Sequence, residues 1–116
     1  MEKMRKKTIK TYTEFWDFYV SEHSNPINRL LHFVGTTLAL VLLFWFLVSG
    51  TFIFIPLCLV VGYGFAWVGH FLVEGNKPAT FQYPLWSFIS DYKMIFYMLT
   101  GKMNREVDRV TTSLKR

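Results

Sequence analysis

From Leu30 to Val73 the chain runs 44 residues without an Asp, Glu, Lys or Arg. A 116-residue chain has too little interior to hide such a run. One spanning helix needs about 20 apolar residues to cross a hydrocarbon core of about 30 Å, so the stretch has the length of two. Its one evident breaker is Val48-Ser49-Gly50-Thr51. A helical hairpin turning at Gly50 is therefore expected, with spans of about 26–48 and 51–73.

The charges orient that hairpin. Six of the thirteen Lys and Arg precede the apolar stretch, seven follow it, and the Ser49–Thr51 turn has none. Positive charge collects on the cytoplasmic side of membrane proteins, so both termini are expected there. The membrane would be the inner (plasma) membrane in a bacterium and the endoplasmic reticulum in a eukaryote. A net charge of +5 distributed this way suits anionic lipid headgroups and argues against a nucleic-acid-binding face. The single cysteine, Cys58, falls inside the second span, where it reads as small apolar packing; it excludes cysteine-based metal clusters within one chain. The first apolar run starts too late, and lacks the small-residue cleavage pattern, for a signal peptide to be expected.

Residues 1–10 read as a basic arm, 11–100 as one membrane domain and 101–116 as a polar tail. Thr11 and Glu14 fit a capping box opening a helix over about 11–21. Tyr12, Phe15, Trp16 and Tyr19 share one face of it, suited either to the membrane interface or to an ordinary packed core. Asn25 as N-cap and Pro26 at the first helical position start the first span. Gly62, Ala66 and Gly69 form a small-residue ridge on the second, and Gly35 offers a close approach from the first. Gly75-Asn76-Lys77-Pro78 reads as a turn. Residues 85–99 are apolar and helical but short, and carry Asp91 and Lys93, so a second interfacial amphipathic helix is expected there. The fold class is an all-α membrane protein: a two-helix transmembrane hairpin flanked by interfacial helices.

All three histidines fall at the predicted cytoplasmic end. His32 lies 18 residues before Gly50 and His70 lies 20 after it, which at 1.5 Å per residue puts them about 27 and 30 Å from the turn. His23 is in the loop just before the first span. Asn28 precedes His32 by one turn on the same face, as the neighbour that would orient it, and Glu74 follows His70 by one turn. Ionisable groups in such segments are costly and tend to be functional. Neutral imidazoles suit iron, zinc, copper and nickel; His ligands with a carboxylate and open positions suit non-haem Fe(II), and three His with a water suit Zn(II). Two facing histidines are also the ligand set of a haem between helices.

The pattern His23-Ser-Asn-Pro-Ile-Asn28-Arg29-Leu-Leu-His32, followed by Trp67-Val-Gly69-His70-Phe-Leu-Val-Glu74-Gly-Asn-Lys-Pro78-Ala79, resembles a family of small membrane proteins once catalogued as a domain of unknown function. It includes the fungal endoplasmic-reticulum 2-hydroxy fatty acid dioxygenases of phytosphingosine breakdown, and the likeness covers about residues 11–100. The resemblance implies an Fe(II)-dependent α-oxidation in which a 2-hydroxy fatty acid and O₂ give a fatty acid one carbon shorter. It puts metal binding on His23, His32 and His70. Glu74 is a fourth candidate, or orients a histidine from behind. This chain is shorter than the fungal enzymes and has three histidines, so where the family's iron needs a fourth histidine, either Glu74 replaces it or the chain lacks that activity.

Arg29 and Lys77, at the predicted boundary, are candidates for pairing with the substrate carboxylate; their alternative roles are topology and headgroup binding. The expected partners are membrane lipid and the fatty acid, with a homodimer compatible because each span keeps faces for another helix. Two rival functions stand beside the oxygenase. One is a non-catalytic membrane protein organising lipids or a partner through its basic face, and the other is a bis-histidine haem binder.

Overall fold

Asn25 and Pro26 start the long hairpin. In a computed structural model, which describes residues 8–114, the Asn25 side chain accepts from the Ile27 N–H at 2.8 Å, and Pro26 occupies the first turn. The chain consists of helices α1 (Tyr12–Ser21), α2 (Pro26–Val48), α3 (Pro56–Val68), α4 (Pro84–Leu99) and α5 (Met103–Leu114), with no strand among the described residues. Short 3₁₀ turns at Phe52–Phe54 and Ala79–Phe81 precede α3 and α4.

The hairpin forms as expected. Helix α2 ends at Val48, Gly50 takes a φ of +73°, and Thr51 N–H returns to the Phe46 carbonyl at 3.0 Å. The second arm is helical from Phe52 to Glu74, but its last six residues, Gly69–Glu74, open into a π-helix. Both arms are long and apolar enough to cross a membrane, and only 17% of each apolar window is buried in the protein. A core helix of a soluble protein would be mostly covered. Ile53, Phe44 and Val60, at 84%, 69% and 67% exposure, instead point outward.

Glycines set how closely the arms approach. A Cβ on Gly35 would lie 2.6 Å from Phe65 Cβ and 3.2 Å from the Gly62 carbonyl, and one on Gly69 would overlap the Asn28 side-chain oxygen. The small-residue ridge thus seats α2 against α3, and its last member sits beside a histidine.

A second layer covers the open end of the hairpin. Thr11 Oγ1 accepts from the Glu14 N–H at 3.2 Å, starting α1 as the capping pattern requires. The aromatic face of α1 is packed core, the second of its two readings: Phe15, Phe18 and Tyr19 are almost wholly buried, with Met94 of α4 and Met103 and Val110 of α5 in the same cluster. The predicted polar tail contributes α5. Its Glu106 accepts from the Trp16 indole N–H at 2.8 Å, and its Arg109 pairs with Asp17 at 2.8 Å. Of the predicted basic arm, residues 1–7 lie outside the described residues; Ile9 is buried and donates its N–H to the Tyr83 hydroxyl.

Gly69→Ala should force α2 from α3 and lower stability by about 1–3 kcal/mol through overpacking. Gly64→Ala, whose Cβ would meet open space, should be neutral or stabilising by up to about 1 kcal/mol. Thermal unfolding in detergent compares them; equal midpoints for the two variants would contradict the packing described.

Candidate metal centre

The hairpin and its cover bring the three histidines together. His23 sits in the turn after α1, His32 in the second turn of α2 and His70 in the π-helix; their exposures are 1%, 3% and 2%. Ring centroids lie 4.5 Å (His23–His32), 4.5 Å (His23–His70) and 4.9 Å (His32–His70) apart. One ring nitrogen from each falls within 4.8 Å of the others. His32 and His70 face each other at one level, as the count from Gly50 implies.

Which nitrogens converge follows from the bonds behind each ring. His23 Nδ1 lies 2.7 Å from the Tyr19 carbonyl and His32 Nδ1 lies 2.9 Å from the Asn28 carbonyl. A carbonyl only accepts, so both Nδ1 atoms carry the proton. The two Nε2 atoms are then bare in the neutral rings, yet they are 3.1 Å apart. Two lone pairs at that distance repel unless a proton or a cation lies between them. Burial first, and then the neighbouring His32 and His70, hold the His23 imidazole well below its ordinary range, so protonation is a poor remedy. A metal is the better one. Metal–nitrogen bonds of about 2.0–2.1 Å place adjacent ligand nitrogens on the order of 3 Å apart.

His70 is oriented by a residue the sequence marked only as a turn. Asn76 Oδ1 lies 2.7 Å from His70 Nδ1, and the Asn76 amide donates to Glu22 Oε2 at 3.0 Å and to the Glu22 carbonyl at 3.2 Å. With the amide NH₂ committed to two acceptors, Oδ1 is the end that meets His70, and His70 Nδ1 is the donor. All three Nδ1 atoms are thus tied to oxygen, which is how metal-binding histidines are commonly held. Gly75, with φ +73°, makes the turn possible: its N–H and that of Asn76 both return to the His70 carbonyl.

The other predicted site residues stand around this trio. The Glu74 carboxylate accepts from the Asn25 N–H at 2.6 Å, and from Asn28 Nδ2 and Ser24 Oγ at 3.4 Å, so it braces the loop that carries His23. The convergent group among the described residues is the three histidines without it. Asn28 backs His32 through its carbonyl, while its side-chain oxygen is buried against Gly69 without a hydrogen-bond partner. Arg29 Nη1 donates to the carbonyls of His23 at 2.7 Å and Ser24 at 2.9 Å, and Arg29 is only 7% exposed. Its fork is occupied in holding the loop. Lys77 is exposed on the turn.

The family model described as 2-hydroxy-palmitic acid dioxygenase Mpo1-like matches residues 9–103. The chain belongs to this family. No curated protein and no solved structure matches it. In this Mpo1-like chain the buried three-histidine group is compatible with a metal, and the family's name carries dioxygenase chemistry on a 2-hydroxy fatty acid.

Behind His23 lies a second pair that sequence reading did not connect. The Tyr19 ring stacks on the His23 ring at 4.0 Å, and the Tyr19 hydroxyl donates to Asp91 Oδ1 at 2.5 Å. The Asp91 carboxyl is enclosed by protein, although part of the residue's surface is accessible. Burial pushes it up to about 7, against the lowering effect of the Tyr19 bond. Its folded value lies above its ordinary 3.8, so the stabilisation from protonated Asp91 is complete below about pH 4 and lost as pH rises through about 7. Relative to Asp91→Asn, which stays neutral, the wild-type protein should lose thermal stability between about pH 5 and about pH 8. A constant difference between their unfolding midpoints across that range would refute the buried acid.

Proposed function

We propose that this protein is a membrane-embedded, iron-dependent oxygenase that shortens a 2-hydroxy fatty acid by one carbon. The observation that carries this reading is the 3.1 Å approach of two bare Nε2 atoms inside a buried trio whose Nδ1 atoms are all held by oxygen. Three neutral imidazoles leave further positions open on an ion that prefers nitrogen and oxygen ligands. A ferrous ion held by His23, His32 and His70 would supply the chemistry that activates O₂ and polarises the hydroxy acid. With one O₂ consumed, the atoms balance as the shortened fatty acid, carbon dioxide and water.

The chain's own residues have definite tasks in this scheme. Tyr19, Asn28 and Asn76 keep each imidazole in the tautomer that presents Nε2. Glu74 and Arg29 hold the loop carrying His23 onto the hairpin. Helix α1 closes the site from above and excludes water. The apolar hairpin places the site where an acyl tail is already in lipid, with both termini on the cytoplasmic side as the Lys and Arg distribution suggests. A porphyrin fits poorly here: ligands on opposite faces of a haem would hold their nitrogens about 4 Å apart with open width between them, whereas these rings are packed edge to face.

After anaerobic purification and reconstitution, metal analysis should find iron in the wild-type protein and little in His32→Ala. Incubation with 2-hydroxyhexadecanoic acid and O₂ should yield pentadecanoic acid, read by gas chromatography–mass spectrometry. Equal iron in wild type and variant would end the metal reading. Iron without the shortened acid would favour a different substrate. Asn76→Ala should weaken metal affinity by ~10–100-fold while leaving the fold in place, measured by competition with a chelator.

A further inference from the structure

Beside the histidine trio, helices α2, α3 and α4 enclose a recess of about 60 Å³. His32 belongs to both, so the recess lies against one member of the histidine trio. Its polar end holds His32 and Asp91; beyond them the floor is made of small side chains, chiefly Thr36 and Ala39 of α2 and Gly62 and Cys58 of α3. From His32 to Ala39 is seven residues, so the floor runs about 10 Å along the helices. Phe88 and Tyr92 of α4, packed edge to face at 5.1 Å, form the wall on the third side.

We infer that this recess seats the first acyl carbons of a single-chain 2-hydroxy acid, with its head at the His32–Asp91 end and its tail leaving along the hairpin. The inference rests on the oxygenase reading for the identity of the head group. Four features support it. The space has room for about four to six water-sized atoms, which suits a few methylenes in single file and excludes a two-chain lipid. The polarity is graded from one end to the other in the sense a fatty acid requires. The small side chains are what leave the groove open: Gly62 has no Cβ, and one placed there would come 3.6 Å from Ala39 Cβ. Finally, Asp91, whose Oδ1 accepts from the Tyr19 hydroxyl at 2.5 Å, lines the recess together with His32, so its carboxyl can accept from a head-group hydroxyl.

The test is photo-crosslinking of the full-length protein in phosphatidylcholine nanodiscs. The probe is 2-hydroxyhexadecanoic acid bearing a diazirine on one of its first methylenes beyond C2; the comparison is a phosphatidylcholine carrying the same diazirine. Label should map to Thr36, Ala39, Cys58 and Gly62 and be competed away by unlabelled 2-hydroxy acid. Ala39→Phe, which fills the floor, should cut labelling by about tenfold or more at unchanged iron content. Label spread over outward residues such as Val41, Phe44 and Val60, uncompeted or equal for the phospholipid probe, would overturn the inference. If Ala39→Phe fails to fold, the wild-type map alone decides. Iron measured on the same samples separates the two readings. Specific labelling without iron supports the recess and sinks the oxygenase, whereas iron with scattered labelling sinks the recess and leaves the oxygenase standing.

Discussion

Polar groups buried at the end of an apolar hairpin have no water to bond, so they must satisfy one another. That requirement organises the end of this protein opposite the Gly50 turn. Each histidine uses one nitrogen on an oxygen supplied by its own helix turn or by the next loop. Those loops need bracing in turn, and Glu22, Glu74 and Arg29 provide it through the Asn76 amide, the Asn25 N–H and the carbonyls of His23 and Ser24. Helix α1 follows from the same need. Its buried aromatic face carries no membrane function of its own, but it closes the network and places the Tyr19 carbonyl behind His23.

Much of this was legible in the residues. Forty-four uncharged positions broken at Gly50 determine a hairpin, and counts of 18 and 20 residues from Gly50 bring His32 and His70 level to within a helical turn. Those inferences succeed because helical rise is a fixed length. The Asn25-Pro26 start is legible for a similar reason, since backbone donors at a helix end have few possible partners. The role of Asn76 was not legible, because it depends on a π-helical turn. Gly69-His70-Phe71-Leu72-Val73-Glu74 carries no mark that distinguishes i→i+5 bonding from an ordinary helix; the π-helix begins where Gly69 packs on Asn28 and ends at the left-handed Gly75. Glu22 was hidden in the same way. A glutamate beside a loop histidine reads as solvent-exposed until the loop is known to lie under α1. Helix α5 is hard to read from the sequence because the residues it buries are few, Met103 and Val110, and its attachment to α1 runs through the Arg109–Asp17 ion pair and the Trp16–Glu106 hydrogen bond, which no local pattern reveals.

Two of the predicted site residues, the carboxylate candidate Arg29 and the metal candidate Glu74, have partners within the protein. Arg29 Nη1 holds the carbonyls of His23 and Ser24, and its Nη2 donates to Asn104 Oδ1 at 3.5 Å. Glu74 likewise directs its carboxylate at the backbone N–H of Asn25. Both residues occur in the sequence pattern that carries the family resemblance. In the structure they act on the position of His23, the ligand that no span supplies.

This leaves a site whose converging groups are all neutral. Three imidazoles bring no charge to a divalent ion, and the carboxylates of Glu22 and Glu74 lie behind the ligands, where they polarise imidazole and loop N–H groups without neutralising the ion directly. In a low-dielectric setting the remaining positive charge would be a strong attraction for an anion. In the proposed function a free carboxylate with an adjacent hydroxyl would be such a ligand, and the recess lined by His32 would admit its acyl chain. A converging group without an acidic residue would suit the proposed substrate, since the acid is what that substrate would bring.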